Sequence, residues 1–253
     1  MTIPTGRFVW FDYVAKDLGK AQGFYGELFH WKTQPVPLGD GKSYTMIALG
    51  DATQGGYTET PPGAPPVGHW LPYLGVADAK ATCKKIESLG GKVYKEPFAM
   101  GPGTMAIVAD TGGGVFALWQ PAKYEGTGDY KDAAGAFCWN ELAAHDLDKA
   151  TAFYTQLGFT AEKVNMGQEY VVLSSDGKPR AGILKSPMPE APQAWMPYVQ
   201  VASTDQSVAK AEKLGAKVAL AAHDVPTVGR IAVLNDPQGG WIGVLQPERP
   251  AQK

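Results

Sequence analysis

A tryptophan and a carboxylate recur two residues apart at two places, Trp10 with Asp12 and Trp139 with Glu141. Residues i and i+2 of a strand share a face, so each pair sets an indole beside an acid. Such a pair can hold an aromatic or cationic ligand by stacking and charge. The competing use is structural, with the indole filling a core and the acid at a solvated strand edge. Tyr73 and Tyr198 recur in a repeated Trp-x-Pro-Tyr run. A phenol there either orients a ligand or ties its hydroxyl to backbone inside a core. His69 is the histidine candidate, because it shares strand parity with Leu71 and Tyr73. His30 reads as a helix end, where a cation suits the dipole, and His145 precedes a helix cap.

Other chemistries lack their residues. There is no Gly-x-Ser-x-Gly elbow, no phosphate-binding Gly-x-x-x-x-Gly-Lys-Ser/Thr and no dinucleotide Gly-x-Gly-x-x-Gly. Cys83 and Cys138 fit neither a disulfide framework nor zinc spacing. Lys and Arg number 23 against 25 Asp and Glu, for a net charge of −2. That balance gives no electrostatic footprint for nucleic acid. The start of the chain lacks the basic and apolar regions of a signal peptide, and no apolar run is long enough to span a membrane. The expectation is a reduced, cytoplasmic protein with neither nucleic-acid nor membrane partners.

The elements that must position these residues are written twice. Phe8-Val-Trp10-Phe-Asp12, then Asp17-Leu18, Lys20-Ala21 and Phe24-Tyr25, return as Phe137-Cys-Trp139-Asn-Glu141, Asp146-Leu147, Lys149-Ala150 and Phe153-Tyr154, offset by 129. Trp70-Leu-Pro72-Tyr73 returns as Trp195-Met-Pro197-Tyr198 at offset 125, and Asp110 and Gln120-Pro121 return as Asp236 and Gln246-Pro247 at offset 126. A repeat this long is a domain, so the chain reads as domains at 6–121 and 135–247. The polar, glycine-containing stretch 122–134 reads as the linker.

Each half carries a weaker repetition. A strand over Phe8–Val14 leads to Asp17 as an N-cap, and Leu18, Ala21, Phe24, Tyr25 and Leu28 follow at helical spacing. Strands at Tyr44–Leu49 and Gln54–Tyr57 close the unit, and a Pro-rich loop precedes the next. That unit starts with the strand Trp70–Val76, then a helix capped by Asp78 and stopped at Gly90-Gly91, then strands at Lys92–Tyr94, Met105–Ala109 and Val115–Trp119. Each unit reads β-α-β-β-β, so the fold expected is α+β with four such units in two tandem domains.

Paired units of this kind, the Asp-Leu helix start, Phe-Tyr within the helix and the Asp-x-x-Gly turn of Asp236–Gly239 resemble the glyoxalase/bleomycin-resistance/extradiol dioxygenase (vicinal oxygen chelate) superfamily. The closing runs Trp119-Gln-Pro121 and Leu245-Gln-Pro247 resemble its tandem-domain subgroup labelled hydroxylase. The resemblance implies that two units curl into a cup. In enzymatic members it implies a metal held by His or Gln on the first strand and Glu on the last strand of each unit. Carried over singly, those positions fall on Trp10 and Trp139, Gly55–Tyr57 and Ala181–Ile183, Leu71 and Met196, and Ala117 and Gly243. None of these ligates a metal well. Glu59 and His69 lie nearby in the first half only.

Three functions follow. The first is a metal-free protein whose cups bind a small, partly aromatic molecule, as in detoxification or resistance, with no cofactor. The second is a lyase, dioxygenase or hydroxylase of the same superfamily, dependent on a divalent metal. The third is a stress- or immune-linked surface role seen among tandem relatives. The ligand site expected is Trp10, Asp12 and Tyr73, or its twin Trp139, Glu141 and Tyr198, with a carboxylate that prefers a cationic or hydrogen-bond-donating ligand. The covalent duplication supplies both partners of a pseudo-dimer, so the expectation is a monomer.

Overall fold

The computed structural model describes residues 5–39, 42–123 and 131–248. Each half follows the order expected. In the first, β1 (Arg7–Ala15), α1 (Leu18–Phe29), β2 (Lys32–Gly39), β3 (Lys42–Leu49) and β4 (Ala52–Glu59) precede β5 (His69–Gly75), α2 (Ala79–Ser88), β6 (Lys92–Met100), β7 (Gly103–Ala109) and β8 (Val115–Pro121). The second half gives β9 (Phe137–Ala144), α3 (Leu147–Gln156), β10 (Thr160–Asn165), β11 (Glu169–Ser175) and β12 (Lys178–Lys185). It ends with β13 (Ala194–Gln200), α4 (Thr204–Lys213), β14 (Lys217–Val225), β15 (Gly229–Asn235) and β16 (Trp241–Pro247). Two eight-stranded sheets result, ordered β2-β3-β4-β1-β5-β8-β7-β6 and β10-β11-β12-β9-β13-β16-β15-β14. The same order appears twice, so the chain holds two tandem copies of paired βαβββ modules.

The sequence signals act locally as expected. The carboxylates of Asp17, Asp78 and Asp146 and the hydroxyl of Ser203 each accept a backbone N–H three residues on, which satisfies an otherwise orphan donor at each helix start. The strand β2 had no place in the sequence reading because Pro35 and Pro37 interrupt it. It lies at the edge of its sheet, where a residue without an N–H forfeits no ladder bond on its open side.

The compact units do not follow the halves. One comprises the described parts of Met1–Trp10, Leu71–Asp129 and Trp139–Met196; the other comprises those of Phe11–Trp70, Tyr130–Cys138 and Pro197–Lys253. Each therefore combines one module from each half. Of the expected linker 122–134, residues 124–130 lie outside the described residues.

In the first unit, Tyr154 of α3 is fully buried, donates its hydroxyl to Asp110 at 2.8 Å and accepts the Trp195 indole N–H at 2.9 Å. Gln193 donates its amide to both Asp110 oxygens at 2.8 Å. In the second unit, Tyr25 of α1 repeats the arrangement, donating to Asp236 at 2.6 Å and accepting from Trp70 at 3.1 Å. Around it, Tyr13, Trp31, Trp70 and Phe137 pack as an aromatic core.

Candidate functional site

The sheet register brings a carboxylate opposite a glycine twice. In the second unit, Asp12 of β1 lies opposite Gly56 of the parallel strand β4. In the first, Glu141 of β9 lies opposite Gly182 of β12. Both glycines fall within the stretches to which the family resemblance assigns a metal-ligating Glu, and both leave space that a side chain would fill.

That space holds a phenol. Tyr44 reaches from β3 and donates its hydroxyl to Asp12 at 2.5 Å, and a Cβ at Gly56 would overlap that hydroxyl. Thr58 donates to the other Asp12 oxygen at 3.0 Å, and Asp12 is only 1% exposed. In the twin, Tyr170 of β11 donates to Glu141 at 2.9 Å and accepts the Trp139 indole N–H at 2.8 Å. A Cβ at Gly182 would overlap the Tyr170 hydroxyl, and Glu141 is 8% exposed.

Trp139 and Glu141 thus share a strand face as alternation required, and Tyr170 joins them. The sequence reading missed Tyr44 and Tyr170. Their signal was the repeat itself, since both tyrosines and both glycines recur at offset 126. The expectation of a carboxylate looking for a cationic ligand changes too. Both acids already accept protein hydroxyls, which reduces the cost of burying them.

Burial pushes the Tyr170 phenol well above its ordinary value, and the Glu141 charge adds to the effect. Tyr25 and Tyr154 are raised for the same reasons, burial first and then Asp236 or Asp110. All three are neutral hydroxyl donors at physiological pH, not bases. Burial also raises the Asp110 carboxyl, against hydrogen bonds from Tyr154, Gln193 and two backbone N–H groups.

The remaining candidates fall as follows. Trp10 and Tyr73 belong to the first unit, Trp10 half-buried and Tyr73 buried beside Ala117 of β8. Tyr198, in the second unit, is buried with its ring over Gly243 of β16, so close that a Cβ there would overlap it. Leu71 is buried and Met196 half-buried. His69 is exposed at the start of β5, with Nδ1 3.2 Å from the Val67 carbonyl.

The donor set at the expected metal positions does not fit a divalent metal. Those positions carry indole, aliphatic, thioether or no side chains, apart from the neutral phenol of Tyr57, which burial pushes well above its ordinary value. Among the described residues, no three of His, Cys, Asp and Glu come together as a metal-holding group.

Comparison with known proteins adds the following. The sequence model of the Glyoxalase/Bleomycin resistance protein/Dioxygenase superfamily matches residues 7–118, and the Bleomycin resistance protein-like N-terminal model matches residues 137–175. "Putative glyoxylase CFP32" of Mycobacterium tuberculosis (strain CDC 1551 / Oshkosh) is 35% identical over 248 residues, covering 94% of each chain. The "Anthracycline biosynthesis protein DauV" of Streptomyces sp. (strain C5) is 30% identical over 258 residues, covering 95% of this chain and 93% of its own. Among solved structures, the Mn(II)-bound glyoxalase from Novosphingobium aromaticivorans matches with a TM-score of 0.66 at 15% identity, over 97% of this chain and 83% of that one.

Proposed function

We propose that this chain, which belongs to the glyoxalase/bleomycin resistance protein/dioxygenase superfamily, binds a small, partly aromatic molecule without a metal and acts as a single chain. The observation that carries this reading is the paired plug. Tyr44 on Asp12 and Tyr170 on Glu141 fill the space beside Gly56 and Gly182, where a ligating Glu would have to stand. A metal there would need at least one plug to open and leave a buried carboxylate without its hydroxyl donor, at a cost of about 1–3 kcal/mol.

An aromatic ligand accords with half-buried indoles at Trp10 and Trp139 and with the name of the relative in anthracycline biosynthesis. Detoxification or resistance by sequestration is the role that requires no reaction. The relative named as a glyoxylase keeps the metal-dependent lyase, dioxygenase or hydroxylase as the second reading. Aromatic ligands titrated into the protein with and without a chelator test the choice. Binding indifferent to the chelator supports the first reading. Turnover of an aldehyde or a catechol that the chelator abolishes replaces it with the second.

A further inference from the structure

A groove of about 700 Å³ opens in the second unit where β1 ends and α1 begins. It lies off the cup face. Asp12 and Thr58 share that face, where Thr58 donates to Asp12, so Glu59, next along β4, leaves on the other side. One wall of the groove is the helix start, with Lys16, Leu18 and Lys20. Glu59 stands at the strand end beside it, in register with Ala15. The opposite wall is Pro66 with Pro237 and Gln238. Gln238 donates its amide to the Asp17 carbonyl at 3.0 Å, and its own carbonyl accepts the Gly68 N–H at 2.9 Å, so it forms the floor between the walls. Val67, 52% exposed, lies over Gly239 and extends the proline wall as an apolar ledge. Asp17 already caps α1 and holds the Lys20 ammonium at 3.3 Å, so the helix end itself is satisfied. Among the described residues, neither Lys16 nor Glu59 has an ion-pair or hydrogen-bond partner. A cation and an anion that border one groove without meeting leave room for a molecule that carries both charges.

The counterpart in the first unit is bridged and has no such pair. His145 stands for Lys16, and Lys185, in register with Ala144, stands for Glu59. Gln193 stands for Gly68. Its Oε1 accepts the His145 backbone N–H at 3.1 Å, and His145 Nε2 lies 2.8 Å from the Ala191 carbonyl. These two contacts stitch the helix-start loop to the loop before β13. A side chain at Gly68 could not do the same, because its Cβ would meet the Tyr13 hydroxyl and Gln238. The repeat keeps the cap, with Asp146 holding Lys149 at 3.3 Å, but not the free charges of opposite sign.

We propose that this groove binds a small zwitterion with an apolar body, of the class of a short peptide with both ends free. Lys16 takes the carboxylate and Glu59 the ammonium. Leu18, the prolines and Val67 take the apolar side chains. A simple anion would lie against Asp17 and Glu59, and a simple cation against Lys16 and Lys20, each at a like-charge cost. The groove shares neither residues nor sheet face with the aromatic-ligand reading above, so the two stand or fall independently.

Three probes test it on the isotope-labelled full chain by NMR titration: leucyl-leucine, its N-acetyl derivative and its C-terminal amide. Leucyl-leucine is expected to bind weakly and to shift the resonances of Leu18, Val67 and Gln238. Blocking either end should weaken binding about threefold, as suits one exposed ion pair. Lys16→Met should weaken the free dipeptide by the same factor and abolish its advantage over the amide. Glu59→Gln should abolish its advantage over the acetylated form. Lys185→Glu, at the counterpart, should change nothing. All three side chains are exposed, so the variants should fold, and circular dichroism checks that they do. The proposal is overturned if either blocked form binds as tightly as the free dipeptide, or if Lys16→Met and Glu59→Gln leave the affinity unchanged. It is also overturned if leucyl-leucine at about 10 mM shifts no resonance of the groove.

Discussion

The Tyr25 hydroxyl donates to the Asp236 carboxylate at 2.6 Å, joining a helix in the first module to a turn in the last. The same bond recurs between Tyr154 and Asp110, at 2.8 Å. Each unit therefore closes through one buried phenol–carboxylate bond between the two halves of the sequence. Each carboxylate also holds its own turn, Asp110 through the N–H groups of Gly112 and Gly114, and Asp236 through those of Gln238 and Gly240.

Removing one hydroxyl should be costly. Tyr25→Phe removes the 2.6 Å phenol bond to Asp236 and leaves the Trp70 indole without its acceptor. A destabilisation of about 2–3 kcal/mol is expected from a lost charge-assisted bond and a stranded buried group. Denaturant titration should show it, and Tyr154→Phe should show a smaller loss, because Gln193 still donates to both Asp110 oxygens. A loss below about 0.5 kcal/mol in both would mean that these bonds do not close the units.

The raised Asp110 carboxyl gives a pH dependence with a definite sign. A folded-state value above the unfolded one means that ionisation is harder in the native protein. Its contribution is fully present below the ordinary carboxylate range and is lost as pH rises through the folded value. The stability difference between wild type and Asp110→Asn should therefore shrink as pH is raised from about 3 to 7. A difference that grows with pH would contradict the direction of the shift.

The two cysteines should be inert. Burial pushes Cys138 up to about 12, and burial with the nearby Glu96 and Glu87 charges pushes Cys83 up to about 11. The thiolate is the reactive form. At pH 8 the native protein should react with a thiol reagent such as Ellman's far more slowly than a small free thiol, and both cysteines should react once the chain is denatured. Rapid modification of either in the native state would refute this.

Asn140 is fully buried, and neither its amide N nor its O has a hydrogen-bond partner among the described residues. The repeat sets Phe11 at the corresponding place. Asn140→Leu should raise stability by about 1 kcal/mol or more, since an unpaired buried amide is replaced by an apolar side chain of similar volume. A fall in melting temperature would instead mark a buried water or ligand held by that amide.

Much of this was legible in the sequence because the information is local. Asp17, Asp78 and Asp146 cap helices whose apolar spacing is written beside them, and Trp139 and Glu141 share a face by simple alternation. The repeat gave the fold by displaying that logic twice. What could not be read was pairing across the chain. Tyr25 and Asp236 each stand out as a repeated residue, yet nothing near either indicates that each half closes on the other. Strand periodicity likewise gives Tyr44 a face but not a partner; only the register that places Gly56 opposite Asp12 shows why a tyrosine from β3 reaches the acid. The edge strand β2 was hidden by its prolines, whose meaning depends on a position in the sheet that the sequence does not state.

The phenol–carboxylate pairs Tyr44–Asp12 and Tyr170–Glu141 stand beside Gly56 and Gly182, at positions to which the family resemblance assigns a metal ligand. The most direct measurement is the elemental content of the protein, purified without chelator from cells grown with added manganese, iron, nickel and zinc. Far less than one equivalent of any metal per chain is expected, unchanged in Tyr44→Phe and Tyr170→Phe. About one equivalent per chain, reduced by Asp12→Asn or Glu141→Gln and removable with loss of an activity, would contradict it, since a true site binds through deprotonated ligands that such substitutions remove.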